Sequence, residues 1–151
     1  MSDTPVTPRL APHLVCDGAA KAIDFYREAF GAEEIMRLPS PNGRLMHASV
    51  TINGAMVLLV DEMPEHGVLG PARLGGTPVT LHLVVPDVDA VFAKAVAAGA
   101  TPTMAVADQF WGDRYGVLRD PFGHSWSIAT PRPGAPRTEA ELKEAAKAVF
   151  G

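Results

Sequence analysis

His13 and His82 stand 69 residues apart in the same tripeptide, His-Leu-Val. Imidazole titrates near neutrality, so these two residues and His47 are the chain's natural proton carriers. His47 or His82 would serve as a general base, with Arg114 stabilising negative charge that develops on a substrate. Arg114 belongs to Phe110-Trp111-Gly112-Asp113-Arg114-Tyr115-Gly116, the densest aromatic and charged run in the chain. Trp111 could stack on a planar ligand, and Arg114 could hold a carboxylate or phosphate by a two-point contact. The structural alternative is an Asp113–Arg114 ion pair with Trp111 packed beneath a loop. Cys16 is the single cysteine, which excludes an intrachain disulfide and a Cys-rich zinc site. No motif supplies it with a base, so it reads as a small buried hydrophobe.

The elements that must position these residues come in two similar sets. Gly31-Ala32 followed by Met36 recurs as Gly99-Ala100 followed by Met104, at an offset of 68. That is one residue short of the 69 that relates His13 to His82 and Gly54 to Gly123, as a one-residue indel between the helices would give. Three such matches argue for an internal duplication over 10–60 and 79–130. The intervening 61–78 is rich in Gly and Pro and reads as a linker. In the first half, 10–16 is a short apolar run. Ala19, Ile23, Tyr26 and Phe30 then mark one face of a helix that Gly31 stops. A short strand is expected at 34–38. Two β-rich runs, 45–52 and 55–60, flank Asn53-Gly54, a strong hairpin signal. The second half repeats the plan: a strand at 79–85, Asp87 as N-cap, an apolar helix stripe ended by Gly99, and runs at 115–119 and 124–129 around Asp120-Pro121-Phe122-Gly123. After the proline-rich 131–136, Thr138-x-x-Glu141 is a capping box opening a helix over 138–150.

Composition narrows the partners. The 151 residues carry 13 Lys+Arg and 17 Asp+Glu, a formal net charge of −4. That mildly acidic balance lacks the electrostatic footprint of a nucleic-acid binder. No apolar run is long enough to span a bilayer, and the N-terminus shows no basic stretch leading into an apolar one. These readings predict a cytoplasmic protein with no membrane partner.

Asp24-Phe25-Tyr26, Phe30-Gly31-Ala32, Asp87-Val88-Asp89-Ala90, Ala98-Gly99-Ala100 and Asp120-Pro121-Phe122-Gly123-His124 resemble the vicinal oxygen chelate superfamily. This group holds glyoxalase I, extradiol dioxygenases and bleomycin resistance proteins. Met46-His47-Ala48, the Trp111 to Gly116 run and the C-terminal helix are similar to its PhnB-like branch. The resemblance covers about residues 10 to 130. It implies one glyoxalase/bleomycin resistance-like domain over 1–151, of α+β class. Two βαβββ modules would form a curved, mostly antiparallel sheet around a central cavity. It also implies a homodimer, with the C-terminal helix needing a surface on this chain or a partner.

Enzymes of the family typically hold one divalent metal between the halves with His, Gln or Glu ligands. The corresponding positions here are Ala11, Leu58, Thr80 and Ser127. Alanine and leucine cannot ligate, and neutral hydroxyls are poor ligands for Zn, Ni or Fe. No metal and no cofactor are therefore expected. The alternative is a displaced site built from His13, His47 and His82, since strand residues two apart share a face. Parity also points Val15, Met56, Leu58, Val60, Val84, Ser125, Ser127 and Ala129 inward. Leu14, Cys16, Val57, Leu59, Leu83, Val85, Trp126 and Ile128 turn toward the helices.

The leading expectation is metal-independent binding of a small, partly apolar organic molecule between the modules. Its anionic part rests on Arg114, His47 and His82. The binding set is His13, His47, Met56, Leu58, His82, Trp111, Arg114 and Ser127. Catalysis of a lyase or isomerase type, with His47 or His82 as acid/base, is the alternative. A scaffold with a self-filled cavity comes third.

Overall fold

A computed structural model describes residues 4–151, and each half of the chain alternates strand, helix and three strands. Met1 to Asp3, part of the stretch read for a leader, lie outside the described residues. The first half runs β1 (His13–Cys16), α1 (Ala19–Phe30), β2 (Glu33–Pro39), β3 (Leu45–Ile52) and β4 (Ala55–Asp61). A short helix, α2 (Pro71–Leu74), interrupts the connection. The second half runs β5 (Thr80–Val84), α3 (Val88–Ala97), β6 (Thr101–Asp108), β7 (Asp113–Arg119) and β8 (Ser125–Pro131), with α4 (Glu139–Phe150) last. Two four-stranded sheets result, ordered β1-β4-β3-β2 and β5-β8-β7-β6. In each, the first pair is parallel and the other two are antiparallel. The class is α+β, with two βαβββ modules.

Local chemistry explains the helix starts. Gly18 has no side chain to cap α1, and Asp61 at the end of β4 does it instead, accepting the Gly18 and Ala19 N–H groups at 2.9 Å. The matching residue of the second module is Thr130. Its hydroxyl accepts Val88 N–H at 2.8 Å and donates to the Val85 carbonyl at 2.8 Å. Asp87 adds its own cap to Ala90 N–H. Asn53 and Gly54 both take positive φ, 50° and 79°, as a two-residue hairpin turn requires.

One face of each sheet meets the helices in a shared core. Leu14, Cys16, Val57, Leu59, Leu83, Val85, Trp126 and Ile128, the set that parity turns toward the helices, are all buried. Residues from both modules interlock there. Tyr26 and Phe30 of α1 pack on Trp126 of β8, with ring centroids 5.3 and 4.8 Å apart.

Three local expectations shift. The first strand begins at His13 rather than Leu10, and Leu10 is fully exposed. Pro8 and Pro12 have no N–H to give to a ladder; pairing reaches back only to the Pro12 carbonyl, which accepts Leu58 N–H. The linker holds a 3-10 turn at Pro64–His66 as well as α2, both too short to show a periodicity. Residues 101–108 form an eight-residue strand that no alternation announces, because nearly all of it is exposed.

Candidate functional site

The helix-free face of each sheet carries the histidines. In the first module β1 sets His13 opposite Leu58, and in the second β5 sets His82 opposite Ser127, the same pairing displaced by 69 residues. On the third strand the displacement is 68, since Ala48 faces Leu59 while Gly116 faces Ile128. His47 therefore corresponds to Tyr115. The two faces repeat each other in ring spacing but not in ring orientation: His13 and His47 are 6.1 Å apart edge-on, and His82 and Tyr115 are 6.2 Å apart and stacked.

Each face is floored by small or branched side chains and rimmed by imidazoles. Val60, Ser127 and Ala129 are buried, whereas His13 and His82 are exposed and His47, Met56 and Leu58 are half-buried. Of the three histidines on these faces, His82 has a hydrogen-bonded ring. Its Nδ1 lies 2.7 Å from the Ser127 hydroxyl, whose residue is 3% exposed, so the ring is held by the strand beside it. Trp111 stands at the end of this second face, edge-on to Tyr115 at 5.3 Å, and its indole N–H donates to Asp113 at 3.0 Å. Both faces turn away from the shared helix core. Val84, on the second, is 56% exposed, so one chain leaves this surface open.

Arg114 is corrected by the geometry. It alternates with Tyr115 on β7 and so lies on the helix side. There its guanidinium forks onto Asp89 of α3 at 2.7 and 3.0 Å and reaches Asp108 at 3.2 Å. Hydrogen bonds donated to these carboxylates push the guanidinium pKa up further, and the Arg114 contact holds Asp89 below the usual carboxylate range. Arg114 is thus occupied and remote from His82. Asp113 pairs with Trp111 instead of Arg114, so neither sequence reading of this run holds in full. Tyr115 was not singled out as a site residue, although the one-residue change in repeat spacing, applied to His47, points to it.

The positions implied for a metal do not fit one. Ala11 precedes β1, and Thr80 is opposite Ser125, whose hydroxyl it contacts at 3.1 Å. Leu58 offers no donor and Ser127 is engaged by His82. The displaced set is not assembled in one chain either, because His13 and His47 share a module and His82 belongs to the other. Among the described residues no three His, Cys, Asp or Glu side chains form a metal-binding group. No helix among them is long and apolar enough to cross a membrane.

Similarities to known proteins follow the same lines. The uncharacterized Mb0911c protein of Mycobacterium bovis is 56% identical over 129 residues, covering 83% of this chain and 85% of that one. The structure of TioX from Micromonospora sp. ML1 is 27% identical, with a TM-score of 0.65 over 83% of this chain and 99% of TioX. A Bacillus cereus PhnB protein, described as a putative 3-demethylubiquinone-9 3-methyltransferase, shares the fold at 20% identity and a TM-score of 0.66, covering 82% of this chain and 99% of that one. The family model for the glyoxalase/bleomycin resistance protein/dioxygenase superfamily matches residues 9–128. That match spans most of the chain, and the chain belongs to that superfamily.

Proposed function

We propose that this protein binds a small, partly apolar organic molecule on its helix-free sheet faces, without a metal ion. The observation that carries the reading is the make-up of the four central positions. His13 opposite Leu58 and His82 opposite Ser127 give two imidazoles on separate modules, with a hydrocarbon and an engaged hydroxyl between them. Such a set suits hydrogen bonding and apolar contact, and Leu58 and the neutral Ser127 hydroxyl are poor partners for a divalent ion. Val15, Met56, Leu58 and Val60 supply the apolar wall, and Trp111 with Tyr115 supplies ring faces for stacking. With Arg114 occupied, a negative group on the ligand would be met by His47 and His82.

A second copy of the chain completes the site. The edge strands of the two sheets are β1 and β5. Alternate residues of a strand point their N–H and C=O groups to opposite sides. The Pro12 carbonyl faces β4 and Val85 N–H faces β8. His13 therefore faces the outer edge of β1, where His124 already takes the Val15 carbonyl, and Thr80 and His82 face the outer edge of β5, where Asn53 donates to the Val84 carbonyl. With both edges partly engaged, it is the open histidine faces beside them that suit meeting a second copy. The buried, unpartnered Cys16 suits the reducing cytoplasm.

Elemental analysis and native mass spectrometry of protein purified without chelator or affinity-tag metal test the reading. The expected result is no stoichiometric Zn, Ni, Fe or Mn, and tightly held metal that resists dialysis would overturn it. A compound at 100 times its dissociation constant should stabilise the fold by about 2.7 kcal/mol. His82→Ala and Trp111→Ala should each weaken that response.

The 2.7 Å contact between His82 and Ser127 favours a second reading, in which His82 is a general base oriented by the hydroxyl. If so, turnover of a bound compound would fall in Ser127→Ala while its affinity held. Equal loss of binding and turnover would return His82 to a binding role.

A further inference from the structure

A second cavity of about 320 Å³ lies at the N-terminal end of α1, and none of His13, His47, Met56 or Leu58 lines it. The turn between β2 and β3, the chain just past β4, and Arg73 on α2 enclose it. Glu62 organises this space. Its side chain is 3% exposed, and its carboxylate accepts Gly70 N–H at 3.0 Å and Arg73 Nε at 3.0 Å. Its carbonyl accepts Arg44 Nη1 at 2.9 Å. The loop closes this tightly only because residue 70 is glycine: a Cβ there would meet the Glu62 carboxylate at 3.0 Å and the Val15 carbonyl at 3.1 Å.

Two guanidinium groups therefore converge on one residue at the wall of a cavity. Arg73 is hydrogen-bonded only through Nε, and Arg44 adds to its Glu62 bond a loose 3.9 Å approach to Asp17. Each keeps N–H donors in hand. Asp61, another carboxylate on the wall, accepts the N–H groups of Gly18, Ala19 and Leu45. Met46, Met63 and Pro64 add an apolar wall.

We propose that this cavity binds a small monocarboxylate, forked by Arg44 and Arg73 with its hydrocarbon tail against the methionines. Paired guanidiniums fit a planar carboxylate, and they are pre-organised here by Glu62. The ligand should carry a single negative charge: Asp61 and Glu62 on the same walls are held by backbone N–H donors, but together with Glu65 they leave no surplus of positive charge for a second one. The site is separate from the histidine faces and independent of what they bind.

Titration of isovalerate, followed by two-dimensional proton–nitrogen NMR of the arginine Nε–H groups, tests this. Saturable shifts at Arg44 and Arg73 are expected, with none from isovaleramide, which has the same shape and no charge. Arg44→Gln and Arg73→Gln should each weaken binding at least about tenfold, and Arg9→Gln should leave it unchanged. The comparison of acid with amide on the wild-type chain decides even where an arginine variant unfolds. Absence of a saturable shift, equal binding of the amide, or tighter binding of inorganic phosphate than of isovalerate would each overturn the proposal.

Discussion

Asp120 shows how one residue can hold two modules together. Its carboxylate, in a residue 3% exposed, accepts the Tyr26 hydroxyl at 2.5 Å from the first module and the Trp126 indole N–H at 2.8 Å from the second. The N–H groups of Phe122 and His124 complete its shell at 2.9 and 3.0 Å. Burial, followed by the Asp120 charge, pushes the Tyr26 phenol well above its ordinary range. A phenol whose folded pKa is raised contributes stability below the ordinary phenol pKa of about 10 and loses it as pH rises above that value. Tyr26→Phe should lower stability by about 1–3 kcal/mol, since a buried carboxylate loses a donor. It should also remove part of the alkaline loss, which denaturant melts at rising pH would measure. Burial likewise pushes the Cys16 thiol up, away from the thiolate form that reactivity needs. The two tryptophans should separate cleanly. Trp126 is 2% exposed in the shared core, so Trp126→Ala should cost about 3–5 kcal/mol. Trp111 is half-buried at the open face, and Trp111→Ala should cost less while altering ligand response. Equal, large losses in the two melts would make Trp111 a core residue.

At the scale of elements, what was legible in the sequence was whatever had a period or a turn chemistry. The run 45–52, the Asn53-Gly54 hairpin and the helix ending at Gly31 all appear where alternation and glycine placed them. The edge strand β6 was legible only as the repeat of β2, and its bounds were not, because its exposed residues carry no alternation. Arg114 escaped for a different reason: parity alone puts it on the helix side, but its partners Asp89 and Asp108 lie 25 and 6 residues away and become visible only once α3 packs on β7. Glu62 and Arg73 were hidden in the same way inside a segment read as linker. The C-terminal helix, α4, was legible in its start. Thr138 accepts Glu141 N–H at 3.1 Å, although the Glu141 carboxylate bonds Arg137 N–H and so does not close the reciprocal box. Where it docks was not legible. It has no buried residue, and Phe150 meets Phe110 edge-on at 5.5 Å, with Phe110 in turn against Trp111. Truncation after Arg137 should therefore change stability by less than about 1 kcal/mol, while broadening or shifting Trp111 fluorescence. A large drop in melting temperature would show that α4 is part of the fold's support.

At the scale of the molecule, duplication leaves each chain with two open, histidine-bearing sheet faces, one per module. The modules share their helices, so the helix-free faces cannot close on each other within a chain. A twofold pair resolves this if the His13–His47 face of one copy meets the His82–Tyr115 face of the next, giving two equivalent sites per pair. Native mass spectrometry should then find twice the 16.0 kDa chain mass. Val84 is 56% exposed on the second face, and Val84→Asp would place a charge in that contact, shifting the mass toward a single chain with little change in the monomer's own fold. Mixing offers the stricter test. Neither a His47→Ala pair nor a His82→Ala pair has an intact site. Co-refolding the two variants would yield mixed pairs in which one of the two sites recovers both wild-type faces. Ligand response should return to about half the wild-type amplitude in mixed pairs if each site draws on two chains. It should stay absent if each site belongs to one chain, and a wild-type protein that remains a single chain at every concentration would remove the second copy from the site altogether.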